Sequence, residues 1–370
     1  MPDPRTYLNM AIPVVTSLPE CADFHKTVEP YLPQLYDLPY QVVARISDVQ
    51  ALKELYLSTN PLISSFAFAT LFLSPAVLVL SEINRNYSQV DRIWSLLPAL
   101  YNIHYATWAH LNGLPATKLD HVMAVSIIWS ARLTFNYWRK GGYTIGSEDY
   151  RWNIVKDYIG GPAMFVMNVV FISFYQNLLL WIITTPTYVL LLANRIIGNT
   201  ISSYDSLFGR SMVALVVLEF FADQAQWNYY AARDEYRNTA KVPANKKYTR
   251  EQLDRGFNTT GLFAWSRHPN FAAEQAFWVF LYQWCCLETE TYYNWAAIGA
   301  ALYLALFQGS TWLTELLSAG KYPEYKVYQE RVSMFLPKLG TKSMEEPQTE
   351  VEKKKVKDAK AGKGAVKAKK

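Results

Sequence analysis

The stretch Gly261–Trp278, reading GLFAWSRHPNFAAEQAFW, sets a cation beside the start of an apolar helix. Pro269 suits a first helical position, since its φ is fixed and its missing N–H costs nothing there, and it pushes His268 out of α geometry. The open N–H groups and positive end of that helix, next to Arg267, are what a phosphate or another anion needs. Asn270 and Glu274 lie four apart, on one face with Trp278 beyond them, so Glu274 enters apolar surroundings and requires a partner. A polar helix cap at a membrane surface, with Glu274 paired to a cation, is an equally open reading. Glu219, Asp223 and Trp227 repeat at four-residue spacing in VLEFFADQAQWNYY, which places two acids and Gln224 on one helix. Such a stripe binds a ribose or an amide, unless the basic loop that follows simply neutralises it. Arg132 lies deep in an apolar run ahead of Gly146-Ser-Glu-Asp-Tyr-Arg151, and Asp91-Arg-Ile-Trp94 opens another, where Asp91 also serves as a helix cap.

Positioning these groups falls to apolar helices. Of 370 residues, 51% are hydrophobic and 15% aromatic, while the mean hydropathy of −0.03 is diluted by polar ends. Several stretches approach the roughly 20 apolar residues that cross a bilayer. The expected fold is an all-α, polytopic membrane bundle of about seven transmembrane helices: Leu62–Leu80, Asp91–His110, His121–Trp138, Ala163–Leu192, Leu207–Tyr230, Phe271–Leu287 and Trp295–Leu316. Ala163–Leu192 is long enough for a tilted helix and a second piece broken at Pro186. Loops 139–160 and 233–269 carry the lysines and arginines, which puts both inside, with the N-terminus outside and the C-terminus cytosolic.

Residues 1–60 read as a polar, proline-rich segment without a cleavable signal, 61–340 as the membrane domain, and 341–370 as a disordered lysine-rich tail. The tail is expected to be solvated rather than to touch anionic lipid or nucleic acid. Cys21, Cys285 and Cys286 are too few and too badly spaced for a disulfide framework, and the histidines lack metal spacing, so no metal is expected. Absence of a GxGxxG fingerprint, a Walker loop and a nucleophile elbow excludes a soluble nucleotide-binding fold.

Taken in order, Asp91-Arg-Ile-Trp94, Arg132-Leu with Gly146-Ser-Glu-Asp-Tyr-Arg, Glu219–Gln224, Ser266-Arg-His-Pro-Asn270 with Glu274, and Tyr322-Pro-Glu-Tyr to Phe335-Leu-Pro337 form one ordered set. Across roughly residues 82–340 it resembles an uncharacterised membrane family (DUF1295-type) related to steroid 5-alpha reductases and, more distantly, to sterol C14 and C7 reductases. The Arg-His-Pro-Asn core alone is shared with isoprenylcysteine and phospholipid methyltransferases, which use S-adenosylmethionine. The reductase resemblance implies a helical bundle of the endoplasmic reticulum that binds NADPH on its cytosolic side. It further implies reduction of a conjugated carbon–carbon double bond in a lipid-like or sterol-like substrate, with no nucleic-acid partner. Carried over by position, Arg132, Asp223, Arg267, His268, Asn270 and Tyr325 would contact the dinucleotide, and Glu274, Glu219 or Asp223 would hold its amide or ribose hydroxyls.

Two positions depart from that pattern. Trp129 stands where the steroid enzymes carry a tyrosine that polarises the substrate carbonyl, which leaves Asp91, Tyr101 and Tyr137 as candidate proton donors. Ala273 stands where many relatives have glycine, so the backbone approaches a cofactor less closely. An S-adenosylmethionine-dependent methyltransferase and a non-catalytic lipid-binding protein are the alternatives.

Overall fold

A computed structural model describes residues 11–244 and 247–367. The described residues are helical throughout and form no strand; the single bridge joins Ser266 to Ser333. Two compact units emerge, one comprising the chain up to Val213 with Trp278–Tyr303, the other Ala214–Phe277 with Leu304 onward.

In the first unit, helix α1 (Pro61–Asn84) begins at a built cap. The Asn60 side chain accepts from the amides of Leu62 at 2.9 Å and Ile63 at 3.4 Å, and Pro61 fills the position that needs no N–H. Helix α2 (Gly161–Ile197) is the other helix long and apolar enough to cross a membrane. Its regular winding stops at Ile182 and restarts at Thr185, with Pro186 in the first turn, which is the break the sequence pointed to. Each of these two helices holds a π-helical stretch, Phe68–Leu73 in α1 and Asn168–Tyr175 in α2. Winding of that kind releases backbone groups that side chains then satisfy, as when Ser74 Oγ donates to the Ala69 carbonyl at 2.8 Å. Asn168 ties the two helices together by donating to Glu82 at 2.8 Å.

Helices α3 (Gln89–Trp94), α4 (Leu97–Leu111) and α5 (Thr117–Arg139) follow α1 in sequence. A buried polar thread binds three helices: Asn102 of α4 donates to Ser126 of α5 at 2.7 Å and accepts from Thr187 of α2 at 2.8 Å. Helices α6 (Ser203–Thr239), α7 (Pro269–Glu288) and α8 (Ala297–Lys321) coincide with the last three expected spans, as α4 and α5 do with the second and third. Among the described residues only α1 and α2 have both the length and the composition of a span. Gly299 of α8 lies against α2, where a Cβ would sit 2.4 Å from the Ile182 carbonyl oxygen.

The second unit has its own core of Phe257, Tyr325, Val327, Tyr328, Val332, Met344 and Val356. Helix α9 (Arg250–Arg255) ends on Gly256 at φ +88°, and α10 (Tyr325–Arg331) supplies Tyr325, Val327 and Tyr328 to that core. The stretch after residue 340 departs from the expected disorder, because Glu350–Lys367 forms a helix, α11, whose Val356 is buried in the same core. Two arginines, Arg255 buried and Arg331 half-buried, hold it in place. Arg331 donates twice to Glu352 at 2.8 Å and also reaches the carbonyls of Ser343, Glu346 and Pro347. Arg255 donates to Glu324 at 3.1 Å, Glu345 at 3.0 Å and the Met344 carbonyl at 3.5 Å. Lysine-rich composition argues against a packed core, but two multiply bonded guanidinium groups offset the ordering entropy that composition leaves uncovered.

Candidate functional site

In the second unit, Pro269 starts α7 as its sequence demands, and Arg267 and His268 precede it in a loop fastened on both sides. Their amides donate to the Ser333 and Met334 carbonyls at 2.9 and 3.0 Å. Ser266 Oγ donates to Met334 at 3.2 Å, and the Tyr328 hydroxyl to the Phe263 carbonyl at 2.6 Å. The Arg-His-Pro-Asn loop is therefore laced to the Tyr325–Phe335 stretch, which joins two of the five motifs read from the sequence.

Arg267 is buried, and its guanidinium is fully engaged within the protein. Nε and Nη2 grip the Glu315 carboxylate at 2.6 and 2.9 Å, while Nη1 donates to the carbonyls of Gln329, at 3.1 Å, and Val332. His268 Nε2 meets the same carboxylate at 2.9 Å, and Gln329 donates to it at 2.8 Å. This planar fork fixes geometry more than it offers charge. The expected anion-holding role of Arg267 thus meets a group already committed to Glu315.

Asn270, one residue into α7, donates to Asp223 of α6 at 3.0 Å. That bond brings the acid stripe of α6 to the first turn of α7. Glu219 and Glu274 are buried on the same two helices, at 0 and 6% exposure. Tyr325 is buried too, its ring 4.9 Å from Phe257 in a T-shaped contact, so it packs the unit's core.

The remaining candidates belong to the first unit. Arg132 and Trp129 are buried on α5, and Trp129 packs edge-on against Trp278 at 5.1 Å, which in turn meets Tyr303 edge-on, with Tyr303 stacked on Trp94. The tryptophan at the departed position is an aromatic core residue. Asp91 joins a second lacing, in which the 86–92 turn meets the 147–152 stretch. Trp152 Nε1 donates to Asp91 at 3.4 Å, Arg92 and Asn86 donate to the Ser147 carbonyl, and the Asp149 amide donates to Ser88. Burial alone would raise the Asp149 carboxyl, yet the Arg151 guanidinium outweighs it and holds that carboxyl below its usual range. Tyr137 packs against Tyr143 at 5.0 Å. Tyr101 differs from both, for its hydroxyl is buried with no hydrogen-bond partner among the described residues.

Glu315 went unnoticed in the sequence, although an acid inside the apolar run Trp295–Leu316 is the very signal that singled out Glu274. A second group left no signal at all: Lys118 meets Glu288 and, at 3.2 Å, Asp205, all three buried in the first unit. No cluster among the described residues has the makings of a metal site.

The model of a family described as a protein of unknown function (DUF1295) matches residues 77–332. An uncharacterised protein of Schizosaccharomyces pombe is 36% identical over 332 residues, covering 90% of this chain and 94% of that protein. No solved structure matches.

Proposed function

This chain belongs to the DUF1295 family of unknown function, and from that premise we propose that it is a membrane-bound, NADPH-dependent reductase of a conjugated double bond in a lipid-like substrate. The carrying observation is the Asn270–Asp223 bond, which gathers the α6 acid stripe and the Arg-His-Pro-Asn loop at one place. A methyltransferase reading accounts for the loop and leaves the acid stripe without a purpose. In this proposal Asp223, Asn270 and the neighbouring Glu219 and Glu274 meet the amide and ribose hydroxyls of the dinucleotide, since buried acids are best satisfied by several donors. Arg267 serves indirectly, holding the loop in register through Glu315. Hydride chemistry belongs to the cofactor, and the protein supplies a dry pocket and a proton.

NADPH is expected to raise the melting temperature of the detergent-purified protein, and S-adenosylmethionine to leave it unchanged. Asn270→Ala should weaken NADPH by about tenfold, the worth of one hydrogen bond of ~1.5 kcal/mol, with little loss of stability in the unliganded protein. Stabilisation by S-adenosylmethionine alone overturns the reductase reading. The proposal includes a seven-span topology in the endoplasmic reticulum with a cytosolic C-terminus, so cysteines replacing Lys247 and Glu290 should label from opposite faces of sealed microsomes. Labelling from the same face rejects that topology.

A further inference from the structure

Helix α11 is amphipathic in an unusual sense, since its inward stripe is spent on the protein itself. Glu352, Val356 and Ala359 lie four and three apart and are the covered positions of the helix, whereas Lys353, Lys354, Lys355, Lys357 and Lys360 are exposed. Lys355 pairs with Glu330 and Lys353 with Glu350, but among the described residues Lys354 and Lys357 make no ion pair. Between Glu350 and Lys370 the sequence holds nine lysines against Glu350, Glu352 and Asp358. A solvated tail has no need of a fixed shape, yet Arg331 and Arg255 bond six residues in the 343–352 stretch, which orients the helix that follows. Docking hides Val356, while Val351 at the start of the helix stays exposed, and leaves a row of lysines on the outer face.

We propose that the outer face of α11 is a docking surface for the headgroups of an anionic membrane. The chain carries two helices fit to cross a bilayer, so a lipid surface is the polyanion always within reach. Lysines clustered on a helix near membrane segments bind anionic lipid at about fivefold per residue, by charge and without insertion. The contact should therefore vanish at high salt, where the Debye length shrinks to roughly 3 Å at 1 M.

The test uses the full chain in nanodiscs, with a fluorophore on Lys357→Cys; Cys21, Cys285 and Cys286 are all buried. Lipid spin-labelled at the headgroup should quench the fluorophore in discs containing phosphatidylserine and much less in pure phosphatidylcholine, and about 1 M salt should abolish the difference. Adding Lys353→Gln, Lys354→Gln and Lys360→Gln, three charges away from the packed stripe, should lower the bound-to-free ratio of the tail on the order of a hundredfold. Equal quenching in both discs, no quenching in either, or quenching that the three substitutions leave unchanged overturns the proposal. Loss of the anionic-disc signal on adding equimolar single-stranded RNA would make nucleic acid the partner and reject lipid.

Discussion

Lys118 and Arg267 are each a buried cation gripped by carboxylate, one in either unit, and they rest on opposite charge counts. Lys118 faces two acids, Asp205 and Glu288, whereas Arg267 faces one, Glu315, which the His268 ring also meets. A guanidinium spreads its donors over a carboxylate and two carbonyls and keeps its proton, so it fixes a loop. Two acids around one ammonium hold a surplus negative charge unless they share a proton. Burial raises the Glu288 carboxyl, with Lys118 opposing, while for Asp205 the bonds from Glu288, the Ser202 amide and Trp284 outweigh burial and hold it at about 2. The loop of the second unit is a mechanical fixture; the triad of the first is a titrating one.

Breaking the fixture should have the largest effect. Arg267→Ala leaves Glu315 buried with the Gln329 and Val332 carbonyls unmet, a loss of about 3–5 kcal/mol in thermal unfolding. Arg267→Lys should recover only part of it, because an ammonium cannot span both carboxylate oxygens. If instead Arg267→Ala is stable and loses only NADPH, the loop is a phosphate site after all and the contrast with Lys118 collapses.

For the triad, Lys118→Met should cost about 3 kcal/mol near neutral pH and less in acid, where one carboxyl is protonated. The wild type sharpens the point. Glu288 has a folded value above the ordinary one, so the stability tied to its proton is complete below the ordinary glutamate range and is lost as pH rises through the folded value. The Asp205 contribution runs the other way, present above the ordinary aspartate range and lost only as pH falls through about 2. Glu288→Gln should flatten a plot of melting temperature against pH where it falls just above the ordinary glutamate range. An unchanged slope would locate the titration elsewhere.

The smallest effect is expected at the tail. Arg331 holds the Glu352 carboxyl down at about 2, but the pair is partly solvated, so Glu352→Gln should cost only about 1 kcal/mol. Faster tryptic cleavage after Lys353–Lys357, with no change in the main unfolding transition, would register it.

What the sequence made legible was local. Pro269 and Pro186 announced where helices start because proline acts on its own backbone, and the Asp223–Asn270 bond joins two motifs recognisable separately. What stayed hidden depended on distant partners. Arg255 and Glu345 lie 90 positions apart and Lys118 and Glu288 170 apart, and no periodicity encodes such pairings. Nothing local in the sequence pairs Arg267 with Glu315, which lies 48 positions away inside an apolar run. The tail was read as disordered from its lysines, when Arg331 and Arg255 decide its fate.

Those two arginines also impose an order of events on the growing chain. Arg255 waits for acceptors at 324, 344 and 345, and Arg331, which stands between the Gln329 and Val332 carbonyls that receive Arg267, waits for Glu352. Such long-range closures are slow steps, made after local helices have formed. A premature stop between residues 335 and 342 therefore yields a chain with every expected span and every partner of the Arg-His-Pro-Asn loop, but with Arg331 lacking its acceptors at 343–352 and Arg255 its acceptors at 344 and 345, a species that membrane quality control would meet with two guanidinium groups still seeking partners.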